Sequence, residues 1–518
     1  MSSRSGRQAL TTIATFVVIL VTALPVLLLR TPPLVDVLGH MGRYELQTAL
    51  ARQPWLQRFY SFEWQVIGNL GADLLVDAAQ PLLGLVGATK LAVVLVPLIA
   101  STAILMLSRQ IHGRVTPFAI ACLTLIYTLP FNWGFLNFSL SMALALLAFA
   151  LWLHLGDRRS RALLFIPVSL SIWLCHTFGW AFLGILCTAD GLANGWTARL
   201  SLQRLTLDIS RRVWPLLAPL APMLLWRSEA SGAGIDGWFD WSQKASWLIS
   251  IQRLAWEGPD KFSAAALLLA ALAGIGLPCI RIDRRLALAA MIAFAAFLLL
   301  PKQIFGSVYA DMRLAPYAVM LALLALNDAK LRRESRVALM VFAVAFLTAR
   351  LALTGLVYQE RERILDRQLT ALSVIPEQSR VATLVQIPCQ SEWALPWFSH
   401  IGSLAIVRKH AFANDQWANA SMNPLQVHFP AAGSFATDDR QLFFPERCGK
   451  SPRLPEALRA LPLQAFTHVW IVGVRPSAMP PRAGMTPRWR SEDAAVFTVA
   501  PPISLGSQRI SKLSKLQP

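Results

Sequence analysis

Asp36, His40 and Arg43 stand at i, i+4 and i+7 in the stretch Thr31-Pro-Pro-Leu-Val-Asp36-Val-Leu-Gly-His40-Met-Gly-Arg43. Pro33 is a suitable helix start, and in a helix that begins there the three side chains share one face. An acid, an imidazole and a guanidinium on one stripe can move a proton and steady an anion. The same stripe also fits an amphipathic helix lying on a membrane, with Asp36 acting on the helix dipole. A second cluster crowds Lys302, Tyr309, Asp311 and Arg313 into one short segment. Two cations there suit a phosphate group, or equally an anchor at the level of lipid headgroups. Asp73, after Gly68-Asn-Leu-Gly71, is a further carboxylate for the site or a helix-end acid. His176 lies between two apolar runs, where an imidazole is either a substrate contact or an interhelical hydrogen bonder.

These residues must be held by an unusually apolar chain. Of 518 residues, 55% are hydrophobic and 15% charged, against about 25% charged in soluble domains. The excess lies before residue 357, in apolar runs near 10–29, 82–107, 115–130, 139–155, 162–175, 178–193, 213–226, 263–280, 286–301, 314–329 and 337–357. The pattern predicts an α-helical polytopic membrane protein of about 11 transmembrane helices. Pro215, Pro219 and Pro222 predict a kink in one span. The pair 162–175 and 178–193 reads either as two spans or as one span with a re-entrant piece.

The net charge of +19 does not point to nucleic acid, because the cations sit at the ends of apolar runs and form no basic face. Alternate loops hold eighteen Lys and Arg, among them Arg4, Arg109, Arg158, Arg211, Arg284 and Lys330. Up to Tyr358 the other loops hold ten, against eleven acids. The positive-inside rule places the first set in the cytoplasm. The N-terminus is then cytoplasmic, and the long first loop 30–81, the later site candidates and the C-terminus lie outside. Leu10 to Leu29 predicts a retained span and not a cleaved leader, since Arg30-Thr-Pro-Pro follows it. Lys90 and Arg350 fall within spans, where snorkelling or an interhelical partner accounts for them.

The outer loops carry further polar and aromatic groups. Residues 131–138, Phe-Asn-Trp-Gly-Phe-Leu-Asn-Phe, read as an interfacial aromatic belt or a sugar contact. Residues 227–262 mix Trp238, Trp241, Trp247 and Trp256 with acids, which suits an interfacial helix or a carbohydrate platform.

In this pattern the chain resembles the GT-C superfamily of integral-membrane glycosyltransferases. The likeness rests on many short spans, a long first outer loop, Pro-Pro-Leu-Val-Asp36 leading into His40 and Arg43, and a C-terminal soluble domain outside. It covers roughly 10–357 as architecture. The resemblance implies a polyprenyl-phosphate sugar donor drawn from the membrane lipid, with Asp36 as catalytic base or as an aid to binding a divalent cation. His40, Arg43, Asp73, His176, Lys302, Asp311 and Arg313 would then contact the donor phosphate and substrate. No adjacent Asp-Asp or Asp-Glu pair occurs in the first loop, and Gly237-Trp-Phe-Asp240-Trp241 does not match the Trp-Trp-Asp signature of oligosaccharyltransferases. There is also no glycine-rich phosphate loop.

From 358 to 518 the composition becomes that of a soluble extracytoplasmic domain. Runs at 380–385, 403–407, 469–473 and 495–499 are strand-like, and 455–461 is helical in pattern, which predicts a small α/β domain. Of six cysteines, Cys389 and Cys448 alone fall here and can pair in an oxidising compartment. His400, His410 and His428 show no metal-ligand spacing. Taken together, the sequence predicts a glycosyltransferase of the bacterial cytoplasmic (inner) membrane, working at its outer face. Two alternatives remain: a transporter or flippase of a lipid-linked or small polar substrate, and a non-catalytic component of envelope polysaccharide assembly.

Overall fold

The structure, a computed structural model, describes residues 2–225, 234–304, 307–418 and 423–500. It is mostly helical. In chain order the elements that position the site begin with α1 (Ser2–Leu27), α2 (Val37–Ala49), β1 (Tyr60–Phe62), α3 (Gly71–His112), α4 (Leu136–Leu155), α5 (Arg159–Cys175) and α6 (Thr177–Thr197). They continue with α7 (Trp241–Ile249), α8 (Glu257–Gly276), α9 (Arg284–Leu299), α10 (Ala315–Leu324) and α11 (Arg333–Leu369). The C-terminal region adds β2 (Arg380–Gln386), α12 (Ser403–Lys409), β3 (Phe412–Ala413), β4 (Leu425–Val427), β5 (Leu442–Phe443), α13 (Leu454–Ala460), β6 (His468–Val472), β7 (Met485–Arg490) and β8 (Ala494–Val499).

Four described helices are long and apolar enough to cross a membrane: those at Gly71–His112, Leu136–Leu155, Glu257–Gly276 and Arg333–Val374. Shorter apolar helices cover Thr12–Leu27, Pro117–Trp133, Ser160–Cys175 and Ala315–Leu324. The elements differ from the sequence-based boundaries for local reasons. Helix α3 starts at Gly71 and so absorbs the end of the first loop; Gly84, at φ +66°, breaks its helical geometry near the expected start of the span. The run 162–175/178–193 is two helices joined at His176, whose extended backbone (φ −167°) ends one and caps the other. The proline-rich run after 213 breaks into a 3-10 turn and a six-residue helix, since each proline removes a donor from the ladder. Arg350 is 5% exposed and does not snorkel: Asp260 of α8 pairs with it at 2.8 Å, and the Gln252 carbonyl accepts from it at 3.1 Å. Lys90 is half-buried within α3.

The C-terminal region carries a mixed six-stranded sheet in the order β7-β8-β6-β2-β3, with β5 also on β2. β6 runs parallel to β2 and antiparallel to β8. All five β6 residues are buried, as befits a strand covered on both faces. The run 403–407, expected as a strand, is instead the start of α12. Its Ser403 amide and hydroxyl are held by the Asp415 carboxylate at 2.8 and 2.7 Å, an anchor at a helix start that outweighs the β-propensity of Leu404, Ile406 and Val407. Cys389 and Cys448 form a disulfide with Cα atoms 5.4 Å apart.

The first long loop and the C-terminal region interlock on one side of the helical body. β1 pairs antiparallel with β4, Ser61 opposite Gln426. The Tyr60 hydroxyl donates to the Ala413 carbonyl at 2.8 Å and accepts from the Ala413 amide at 3.0 Å. Helix α2 packs on α12. This close approach needs glycine: a Cβ on Gly39 would lie 2.6 Å from the Trp417 ring and 3.0 Å from His400 Cγ.

Candidate functional site

A cavity of about 750 Å³ lies where α2, the 131–138 loop, α7, the 302–313 segment and the C-terminal region meet. Asp36, His40, Arg43, His176, Lys302 and Arg313 all line it. Six of the eight residues singled out in the sequence therefore come together, from positions 277 residues apart at the extremes.

Asp36 occupies the N-cap position of α2 yet makes no side-chain cap hydrogen bond. An aspartate there ordinarily turns its carboxylate onto the first free amides of the helix; this one faces the cavity, with its side chain 14% exposed. Its backbone is fixed by the 131–135 turn: the Asp36 amide donates to the Trp133 carbonyl at 2.9 Å. Gly134, at φ +90°, permits this, because a Cβ there would sit 2.8 Å from the Asp36 nitrogen. Burial raises the Asp36 carboxyl from 3.8 to about 7; Asp438 adds to the rise, while His400, Arg313 and Arg43 oppose it. A carboxylate poised near neutrality is matched to general-base work. Its partner is His400, Nε2 3.8 Å from Asp36 Oδ1.

Elsewhere on the cavity wall the groups are donors. Arg313 is 5% exposed and forms no ion pair with any described carboxylate. Its guanidinium lies over the Phe135 ring, 4.3 Å from the centroid, and gives one nitrogen to the Ser307 hydroxyl and Val308 carbonyl at 3.0 and 3.3 Å. Its Nε has no described partner. The other terminal nitrogen lies 3.3 Å from His176 Nε2. His176 Nδ1 already accepts from the Phe178 amide at 3.1 Å, so a neutral ring must carry its hydrogen on Nε2. Two N–H groups then face each other with no acceptor between them, an arrangement that an anion relieves. Lys302, half-buried, points its ammonium toward the Tyr309 ring at 6.0 Å. Tyr309 itself packs between Trp133 and Trp247.

Two sequence candidates are not in the cavity. Asp73 is fully buried in the first turn of α3 and ion-pairs with Arg43 at 2.8 Å; its other oxygen accepts from Asn137 at 3.0 Å. The pair clamps α2 to α3, so the Arg43 guanidinium, though it borders the cavity, is already neutralised. Asp311 is buried against Lys244 at 3.3 Å. That lysine also caps the end of α9 by donating to the Phe297 and Leu300 carbonyls at 2.9 and 2.8 Å. Both acids follow the rule that a buried charge needs a partner. His40 lines the cavity as a neutral ring: burial and the Arg43 charge hold it well below its ordinary value, and it packs on Trp417 at 5.1 Å.

The sequence reading did not find His400, Trp417, Asp438 or Arg253, which also line the cavity. The first three come from the C-terminal region, and no spacing links them to Asp36. Gly39 and Gly42, three apart on α2, are the local mark of the close contact that brings them in. Arg253 donates to the carbonyls of Trp393, Glu392 and Ala394 at 2.8 to 3.1 Å, tying the segment between α7 and α8 to the cavity rim. Among the described residues no three His, Cys, Asp or Glu side chains come together as a ligand set. The residues at Asp36 do not by themselves fit a divalent-cation site.

No protein-family model and no curated protein matches the sequence. Among solved structures the chain is similar to ArnT from Cupriavidus metallidurans in the apo state, at 13% identity and a TM-score of 0.48, over 97% of this chain and 100% of that one. It is also similar to the same protein bound to undecaprenyl phosphate, at 12% identity and a TM-score of 0.45, over 96% of this chain and 100% of that one.

Proposed function

We propose that this protein is a membrane glycosyltransferase that moves a sugar from a polyprenyl-phosphate donor to an acceptor hydroxyl at the outer face of the bacterial cytoplasmic membrane. Residues 1–357 form its transmembrane domain of about eleven spans, and 358–518 its extracytoplasmic α/β domain. The observation that carries this reading is the presence, in one cavity, of a carboxylate that makes no cap hydrogen bond and a buried guanidinium that forms no ion pair with any described carboxylate.

The chemistry follows from that arrangement. Asp36 takes the acceptor's proton as the acceptor oxygen attacks the anomeric carbon of the sugar. The bond from that carbon to the phosphate oxygen breaks, and its electron pair stays on the lipid phosphate. Arg313, the His176 Nε2–H and Lys302 lie where that charge collects. Preorganised donors of this kind lower a barrier because they need no reorientation as the charge develops, and a positioned base contributes about 10²–10⁴-fold. Trp133, Phe135 and Phe138 supply an apolar wall beside the phosphate donors. Asp73 and Asp311 act at one remove, by fixing Arg43 and the end of α9.

Undecaprenyl phosphate, bound in one of the similar structures, is the probe for the test. The full-length protein in micelles should bind it, and an Arg313→Ala variant should bind it more weakly. Asp36→Asn should keep that binding and lose transfer from undecaprenyl-phosphate-linked sugars. A folded Asp36→Asn protein with undiminished transfer would remove Asp36 as the base, and a folded wild type that neither binds undecaprenyl phosphate nor transfers a sugar from it would overturn the reading.

A further inference from the structure

His400 belongs to the C-terminal region, yet its ring is built into the floor of the cavity. It is 4% exposed. Its Nδ1 lies 2.8 Å from the Asp415 carbonyl oxygen, and a carbonyl only accepts, so Nδ1 carries a hydrogen in either charge state. The nitrogen that gains and loses a proton is therefore Nε2, the one facing Asp36 at 3.8 Å. The ring has little freedom to turn away. Trp417 covers it at 4.3 Å, α2 passes so close at Gly39 that a Cβ there would lie 3.0 Å from His400 Cγ, and Asp415 is itself locked onto Ser403. The charged and titratable groups around the pair are Asp415 and Asp438 from the C-terminal region, His40 and Arg43 from α2, and Arg313 and Tyr309 from the 302–313 segment.

We infer that His400 is the positioning residue that takes over the proton collected by Asp36, so that the C-terminal domain resets the base after each transfer. This rests on the reading of Asp36 as the base. The balance is simple. After the acceptor hydroxyl has given its proton to Asp36, the neutral acid passes it to His400 Nε2, which leaves a carboxylate and an imidazolium. The imidazolium then releases the proton to cavity water. A gap of 3.8 Å is bridged by a small side-chain rotation or by one water. Burial alone would lower His400, but Asp438, Asp36 and Asp415 outweigh it and hold the imidazole above its ordinary value; burial raises Asp36 as well.

Coupling of this kind is reciprocal, and it can be read without a sugar substrate. Full-length protein carrying ¹⁵N-labelled histidine is titrated in micelles, the His400 signal being assigned by its loss in His400→Gln. In the wild type, Nδ1 should stay protonated across the titration while Nε2 changes. In Asp36→Asn the His400 midpoint should move down, because a carboxylate that favours the imidazolium is gone. In His400→Gln the infrared carboxyl band of Asp36 should titrate above the wild-type midpoint of about 7. An unmoved His400 midpoint in Asp36→Asn, or an Nδ1 that loses its hydrogen, overturns the inference. If His400→Gln does not fold, the isosteric Asp36→Asn comparison still decides. Transfer assays separate the two claims: dependence on Asp36 with no titration coupling removes only the role of His400, whereas transfer that does not depend on Asp36 removes Asp36 as the base and the role of His400 with it.

Discussion

Lowering the pH from 8 to 5 should silence the protein by protonating one side chain. With Asp36 titrating at about 7, roughly nine-tenths of it is ionised at about pH 8 and roughly one-hundredth at about pH 5. Transfer that requires the carboxylate should fall about ninety-fold over that range, and about tenfold per pH unit on the acid limb. An aspartate left at its reference value of 3.8 would remain more than about nine-tenths ionised at pH 5, and the rate would barely change. The same group leaves a mark on stability. A shift from 3.8 to about 7 corresponds to about 4 kcal/mol favouring the protonated form in the folded state. For a carboxyl whose folded value is raised, the fold is most stable below the unfolded value, loses stability as pH climbs between the two values, and bears the whole cost above about 7. The carboxamide introduced by Asp36→Asn is neutral at every pH. That variant should therefore melt higher than the wild type at about pH 8, by up to about 4 kcal/mol, with the gap closing below about pH 4. The assays are initial rates of transfer from undecaprenyl-phosphate-linked sugars and thermal melting of the solubilised protein, each across pH. A flat rate between pH 5 and 8, together with a variant no more stable than the wild type at pH 8, would refute the reasoning.

Arg313→Ala removes a preorganised donor from the anion pocket and should lower kcat by about 10²–10³, measured as saturating transfer rate; a change confined to KM would argue against charge stabilisation at the leaving phosphate. Asp311→Asn leaves Lys244 buried without its counterion and should cost about 3–5 kcal/mol of stability, while protein that remains folded keeps its specific activity, as melting and rate measurements on one preparation would show. Gly39→Ala places a methyl 2.6 Å from Trp417 and should cost about 1–3 kcal/mol by overpacking; because it pushes His400 off Asp36, its acid limb should also move above that of the wild type, and an unchanged limb would mean the contact gives way elsewhere. An alkaline phosphatase reporter fused after Tyr358 should be active only with its domain outside the cytoplasm.

How far the site could be read from sequence depends on where each residue's partners come from. Asp36, His40 and Arg43 are legible because helical periodicity alone puts them on one face, and that face turns out to border the cavity. Arg313 and Lys302 stand out because cations in an outer loop run against the charge pattern of the chain. Asp311 lies two residues from Arg313, and nothing local says which of them turns inward to Lys244; that depends on where α7 meets the end of α9. Asp73 lies outside the cavity for the same reason, since its pairing with Arg43 needs α2 laid across the start of α3. His400 and Asp438 are silent because the contact that gives them meaning is tertiary. The spans show a similar divide. Long uniform apolar runs such as 139–155 and 286–301 map onto single helices, whereas 115–130 and 213–226 break around their prolines, which remove donors from the helical ladder. In the C-terminal region β-propensity alone misassigns 403–407, where an anchor from Asp415 dictates a helix.

The pairing of β1 with β4 bears on how such a chain is made. Tyr60 leaves the ribosome 353 residues before Ala413, the group it must embrace. Through most of synthesis β1 is an unpaired edge and the glycine face of α2 is uncovered, which is the state most open to wrong pairing. Either can be satisfied only once the tail reaches the same side of the bilayer. Asp36 thus acquires its imidazole neighbour only after the helical part has been made, and chains that stop short of β4 would leave β1 without its partner strand.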